Sequence, residues 1–322
     1  MWIVTGGAGF IGSVLLAKLN QEGHDDLLVV DELGTSEKWK NLRLKRFQDY
    51  VEAEDFLPLL LENKFPKIDG IVHFGACSST TETDASYLIR NNYEYTKTIA
   101  QWALAKKKRF VYASSAATYG DGKLGYSTDL KVTPQLKPLN MYGYSKQLFD
   151  LWALRQNVLN KMVGIKFFNI YGPNEYHKAE MRSVVAKAYE QIKSEGRAKL
   201  FKSYRPDYAD GEQVRDFLYV KDAVDVVYDF MTDSKYKGLY NLGAGQTQTW
   251  NDLVKAIFAA LDKPVRIDYI PMPETLKEKY QYHTLADMNW RKGVKRTAPF
   301  RSLEESVKDY VQNYLTKEDP YL

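Results

Sequence analysis

At 322 residues the chain is long for one compact core and suits a large lobe joined to a smaller one. Its 44% hydrophobic and 27% charged residues exclude a disordered chain, and a net charge of +4 is too mild to indicate a nucleic-acid partner. The one cysteine, Cys77, excludes an intrachain disulfide and points to a reducing compartment. With no leader-like start and no window near the ~18 apolar residues of a membrane span, the sequence reads as cytoplasmic and without a membrane partner.

The first half alternates short apolar runs with longer amphipathic ones. Ile3-Val4-Thr5 predicts a strand, residues 10–22 a helix, and Leu27-Leu28-Val29-Val30 a second strand. A helix over 53–63, a strand at Gly70-Ile71-Val72-His73, a long helix over 84–107 and a strand at Arg109–Ala113 follow. Next come a helix over 140–160 and a strand at Val163–Phe167. The basic run Lys106–Arg109 falls at a predicted helix end, where cations complement the macrodipole. Strands apolar on both faces, alternating with helices, predict an α/β fold with a doubly wound parallel sheet of the Rossmann kind.

Beyond about 170 the pattern loosens into helices near 181–195, 221–232, 249–261 and 302–315, with a polar, turn-prone loop from Ser203 to Val214. We expect a nucleotide-binding domain over 1–168, with segments near 215–245 returning to it. A second, smaller α/β substrate-binding lobe would take most of 169–322. The 24 tyrosines and 14 phenylalanines fit either aromatic packing or an aromatic-lined cleft, and composition does not separate the two.

Gly6-Gly7-Ala8-Gly9-Phe10-Ile11-Gly12 lies between the first strand and the first helix. In that place Gly6 permits a tight turn, Gly9 lets a pyrophosphate approach the backbone, and Gly12 allows close helix packing. Asp31, at the end of the second strand, is the acid that ordinarily accepts adenosine ribose hydroxyls. Asp31 and Glu32 favour NAD, whereas Lys38, Lys40, Arg43, Lys45 and Arg46 are placed to neutralise a 2′-phosphate. The dinucleotide signal is firm and the choice between NAD and NADP stays open at this point.

Tyr142 and Lys146 are four residues apart on a predicted helix, which puts phenol and ammonium on one face. The ammonium, with a positive nicotinamide, lowers the phenol toward the working range for proton transfer, and Lys146 can also hold the cofactor ribose. Ser114 and Ser115 end the preceding strand and offer a hydroxyl to the substrate oxygen, while Tyr112, Tyr119, Tyr126 and Tyr144 read as packing residues. No metal site is expected.

Glycine turn, acid, serine and Tyr-x-x-x-Lys, in this order and spacing, resemble the extended short-chain dehydrogenases. Ser114-Ser115-Ala116-Ala117-Thr118-Tyr119-Gly120 resembles the epimerase form of its loop, with alanines where dehydratases carry acids. Further segments resemble the ADP-L-glycero-D-manno-heptose 6-epimerases across essentially the whole chain. They are Gly75-Ala76-Cys77-Ser78-Ser79-Thr80-Thr81-Glu82, Pro138–Lys146, Phe168–Lys178, Arg215-Asp216-Phe217 and Lys279-Tyr280-Gln281.

That resemblance implies NADP-dependent inversion of C6 of an ADP-activated heptose for lipopolysaccharide inner-core synthesis, by transient oxidation. It implies Tyr142 and Lys178 as two acid/base groups, which suits inversion, because hydride must leave one face of the sugar and return to the other. It also implies cofactor contacts at Gly75, Ala76, Cys77, Ser78, Asn91 and Ile170, besides Phe10, Ile11, Lys38, Lys146 and Lys178. Substrate contacts would fall at Ser79, Asn169, Glu180, Lys187, Phe201, Lys202, Ser203, Tyr204, Arg215 and Tyr280, with Arg215 suited to the diphosphate. His177 is expected to be structural. The implied assembly is a homo-oligomer, with a pentamer as the specific expectation.

Three positions depart from the family pattern. Ala53 stands where a further basic residue is common, and Glu180 and Lys187 stand where a small hydroxyl residue and a histidine are usual. Two alternatives remain open on sequence. One is another nucleotide-sugar epimerase or reductase of this class, and the other is a noncatalytic dinucleotide-sensing protein on the same fold.

Overall fold

The computed structural model describes residues 1–277, 280–292 and 299–322, so Lys279 lies outside the described residues. Seven parallel strands make one sheet: β1 (Trp2–Thr5), β2 (Leu27–Asp31), β3 (Asp49–Glu52), β4 (Gly70–His73), β5 (Arg109–Ser115), β6 (Val163–Phe167) and β7 (Gly238–Leu242). Their spatial order is β7-β6-β5-β4-β1-β2-β3, so the chain reverses its direction of travel between β1 and β4. In open sheets of this kind the crevice at the carboxyl ends beside that reversal is where ligands bind.

Successive side chains of a strand point to opposite faces, and both faces are covered here. Ile3, Leu28, Ile71 and Phe110 pack under the helices Ala53–Leu61, Tyr95–Ala105 and Met141–Arg155. Their neighbours Val4, Val29, Val72 and Val111 pack under α1 (Phe10–Gln21) and the helix Val220–Thr232. The smaller lobe holds the helices Val184–Glu195 and Trp250–Ala260 and three two-stranded pairings, among them Ala198–Phe201 with Ile267–Ile270. No helix among the described residues is long and apolar enough to cross a membrane.

Three features differ from the sequence expectation. β3 was not anticipated, because an edge strand with exposed Asp49 and half-buried Tyr50, Val51 and Glu52 carries no apolar alternation; pairing with β2 creates it. The helix expected over 84–107 is broken by a π-helical turn at Ile89–Glu94. Buried Asn92 in that turn donates to the Cys77 carbonyl at 2.9 Å and accepts from the Cys77 amide at 2.9 Å, so the wider turn is spent on fixing the strand exit beside the crevice. Finally, Lys106 of the basic run is the C-cap of the Tyr95–Ala105 helix, as expected, but Arg109 serves a second helix end that the sequence did not indicate. Arg109 donates to the carbonyls of Phe230, Asp233 and Tyr236, where the Val220–Thr232 helix terminates.

Candidate active site

The crevice begins at the glycine turn. Gly6 has φ +68°, and a side chain there would start 2.6 Å from the Gly75 amide nitrogen. A Cβ on Gly12 would lie 2.0 Å from the Gly6 carbonyl oxygen, so the first turn of α1 presses directly on the loop before it. The N-cap of α1 is Gly9, with no side-chain cap, so the helix presents its first amides toward the crevice, an arrangement that suits a pyrophosphate. We expect Gly12→Ala to cost about 1–3 kcal/mol through overpacking and to strip bound nucleotide. Thermal melting and the absorbance of released nucleotide check this; an unchanged melting temperature would contradict it.

Asp31 is 5% exposed and its carboxylate is already engaged inside the protein. It accepts from Ala8 N at 2.8 Å, Gly9 N at 3.1 Å, Glu32 N at 2.8 Å and Lys38 Nζ at 2.5 Å. It therefore braces the glycine turn and anchors Lys38, a role that sequence reasoning did not assign to it.

The Met141–Arg155 helix starts at Asn140, whose side chain accepts from Gly143 N at 2.7 Å. That start puts Tyr142 and Lys146 on the face toward the crevice, beside the end of β5. Burial pushes the Tyr142 phenol above its usual range, and a hydrogen bond with Ser115 works the other way. Burial, and not the lowering expected from Lys146, sets this direction. Burial also pulls the Lys146 ammonium down to about 8, with the charges of Asp150 and Cys77 opposing. Of the two serines, Ser114 turns inward and donates to Asp150 at 2.7 Å, leaving Ser115 beside the phenol.

Lys178 reaches the same space from the other lobe, on a turn spanning Tyr176–Met181. Buried Glu175 secures that segment, accepting from Ser183 N at 2.5 Å, Ser183 Oγ at 2.6 Å and Tyr310 OH at 2.9 Å. Burial holds the Lys178 ammonium below its usual range, against the charge of Glu175, and its Nζ lies 5.5 Å from the Phe10 ring centroid. His177 beside it is pushed down to about 4 by burial, then by Lys38 and Lys178, so it is neutral at physiological pH; its Nδ1 lies 3.3 Å from Asn41 Nδ2.

One cavity of about 700 Å³ collects these groups. Tyr142, Lys146, Lys178 and Ser115 line it together with Gly6, Gly9, Phe10, Ile11, Gly12, Asp31, Lys38, Gly75, Ala76, Cys77, Ser78, Ser79, Asn169 and Ile170. An adjoining cavity of about 600 Å³ shares Gly6, Asp31, Lys38 and Gly75 to Cys77, and adds Glu32 and Asn91.

Other expected residues do not line either cavity. The exposed Glu180 forms a 3.4 Å ion pair with Lys187, so the two departures from the family pattern pair with each other. Phe201, Lys202, Ser203 and Tyr204 sit at the start of the loop between Ala198–Phe201 and Val214, with Tyr204 47% exposed. Arg215 and Tyr280 stand one residue back: the guanidinium is 5.6 Å from the Trp250 ring and 5.1 Å from that of Tyr280, and Trp250 itself lines the larger cavity. Sequence reasoning missed Trp250, Phe217 and Phe168 as lining residues. Phe168 and Phe217 lay inside segments that carry the family resemblance but were not singled out there, and Trp250 had only its aromatic identity to mark it.

Residues 2–243 match the NAD dependent epimerase/dehydratase family. An ADP-L-glycero-D-manno-heptose-6-epimerase of Nitratidesulfovibrio vulgaris is 52% identical over 323 residues, covering 100% of both chains. One from Fusobacterium nucleatum is 47% identical, again over 100% of both. The crystal structure of the Helicobacter pylori ADP-L-glycero-D-manno-heptose-6-epimerase superposes with a TM-score of 0.81 at 29% identity, over 97% of this chain and 95% of that one. A nicotinamide dinucleotide is the cofactor of this family, and the glycine turn lining the crevice suits it. The chain belongs to the NAD dependent epimerase/dehydratase family and, within it, to the ADP-L-glycero-D-manno-heptose-6-epimerases.

Proposed function

We propose that the protein converts ADP-D-glycero-D-manno-heptose to its L-glycero epimer at C6, in the cytoplasm, as a step toward the lipopolysaccharide inner core. The observation that carries this reading is that Tyr142, on the Met141–Arg155 helix, and Lys178, on the Tyr176–Met181 turn, line one cavity beside the glycine turn. A bound nicotinamide supplies reversible acceptance and return of a hydride. This chain supplies the rest. Tyr142 Oη holds or releases the proton of the reacting hydroxyl in one sugar orientation, with Ser115 sharing its hydrogen bond. Lys178, whose proton is loosened by burial, serves the other orientation. Lys146 keeps a positive charge under the phenol and holds the cofactor ribose. Arg215, clasped by Trp250 and Tyr280, suits the ADP diphosphate.

The test is incubation with ADP-D-glycero-D-manno-heptose in deuterated water, followed by NMR. Conversion without deuterium at C6 is expected; no conversion by nucleotide-loaded protein would remove the substrate assignment. Lys178→Met should lower turnover about 10²-fold, the lower end for one proton-transfer group, with nucleotide retained. Turnover within threefold of the parent would take Lys178 out of the mechanism.

For the cofactor we infer NADP, supported by Lys38 at the adenosine end of the crevice. NAD is the second reading, favoured by the carboxylates of Glu32, Glu52 and Glu54 around the same space. The nucleotide released on denaturation distinguishes them. We also infer a homo-oligomer, a pentamer by family resemblance; Leu139, Met141 and Tyr144, 46%, 42% and 52% exposed, form an apolar patch consistent with self-association. Light scattering on the eluting protein measures it.

A further inference from the structure

The adenosine end of the crevice poses a problem of charge. A 2′-phosphate is a dianion and is recognised by cations in direct contact, through short charge-assisted hydrogen bonds. Lys38 faces this space but is partly committed. Its Nζ is 2.5 Å from Asp31 Oδ1 and 3.1 Å from the Glu32 carbonyl oxygen. The resemblance implies a second cation at position 53, but Ala53, which lines the same cavity, carries no charge.

Arg90 lines that cavity as well. It stands on the π-helical turn Ile89–Glu94, one residue before Asn91 and two before Asn92, the residue that pins Cys77. Arg90 and Ala53 thus line one cavity from different elements. Its side chain is exposed and makes no ion pair or hydrogen bond among the described residues. The anions nearby are less open than their number suggests. Asp31 has four donors of its own, and Glu52 accepts from Tyr50 OH at 2.9 Å. Glu32 and Glu54 complete the acidic side of the cavity.

We propose that Arg90, acting with Lys38, holds the 2′-phosphate of the cofactor and replaces the basic residue missing at Ala53. This rests on the NADP reading above and assigns its selectivity to a residue on a different element from the one the family uses. The guanidinium presents a planar fork to the phosphate oxygens, and the small Ala53 leaves the room it enters.

The test reads nucleotide content, not turnover. Protein is purified from the same cells as the parent, Arg90→Ala, and Arg90→Ala with Ala53→Lys. Bound NADP and NAD are released by denaturation and separated by chromatography. Competition of 2′,5′-ADP against 5′-AMP is measured on the same preparations. The parent should carry NADP. Arg90→Ala should lower the NADP:NAD ratio and the preference for 2′,5′-ADP by about tenfold, the worth of one hydrogen bond to a charged group. Adding Ala53→Lys should restore both. A parent carrying NAD would sink the NADP reading, and this inference with it. A parent carrying NADP whose Arg90→Ala variant keeps the same ratio and preference would overturn the role of Arg90 alone.

Discussion

Replacing Tyr142 by phenylalanine should lower epimerisation by about 10³-fold, within the range for removing one positioned proton-transfer group. The change deletes the phenol oxygen and leaves the ring, so the N-cap at Asn140 and the packing of the Met141–Arg155 helix survive. Lys146, one turn on, still lies against the cofactor site, so nucleotide should stay bound in parental amount. Ser115 remains, but its hydroxyl is already engaged, accepting from Ala117 N at 3.1 Å. It is therefore a poor substitute base. The check is the NMR conversion assay, run with nucleotide content and melting temperature on the same sample. A rate within threefold of the parent, at equal nucleotide loading, would show that the phenol does not handle the proton. Loss of nucleotide would instead assign Tyr142 to cofactor binding.

The largest effect on stability should come from a residue that sequence reasoning did not single out. Asp150 and Lys166 form a 2.9 Å ion pair with both side chains at 0% exposure. Around it, Tyr112 OH donates to Asp150 at 2.9 Å, Ser114 Oγ at 2.7 Å, and Lys166 Nζ donates also to Thr118 Oγ1 at 2.7 Å. The pair joins the Tyr142 helix to β6 and fixes the end of β5 between them. Asp150→Ala should destabilise the fold by about 3–5 kcal/mol, because it leaves a buried ammonium with no counter-charge. Replacing both, Asp150→Leu with Lys166→Met, should recover much of that loss, since an apolar pair needs no desolvation of charge. Urea unfolding measures both. A loss below about 1 kcal/mol for Asp150→Ala would mean that the ammonium finds water or another partner. The single variant should also lower the Lys146 ammonium further, because Asp150 is the larger of the two charges opposing its burial.

On the proposed reading, Arg90 answers the uncharged position 53 from elsewhere in the chain. Ala53 begins the Ala53–Leu61 helix and Arg90 belongs to the π turn after β4, so they line one cavity only because β3 and β4 lie on either side of β1 and β2. Along the sequence Arg90 looks like a solvated charge next to two asparagines. The same holds for Asn92, whose two hydrogen bonds to Cys77 set the wall that the family motif requires.

What the sequence by itself determined is local in physical origin. Gly6 and Gly12 answer steric demands within one strand–turn–helix unit, and Tyr142 and Lys146 share a helix face through a fixed four-residue spacing. Five of the seven sheet strands followed from apolar runs that need only their own residues to be recognised. The tertiary structure alone decided which charges are buried, which are spoken for, and which aromatics face ligand. Asp31 is engaged by the glycine turn and by Lys38, Lys178 is perturbed by burial, and Lys166 meets Asp150 across two elements. Burial and pairing depend on what the fold brings near a side chain from distant parts of the chain, and a charge's energy changes with that surrounding far more than with its neighbours in sequence.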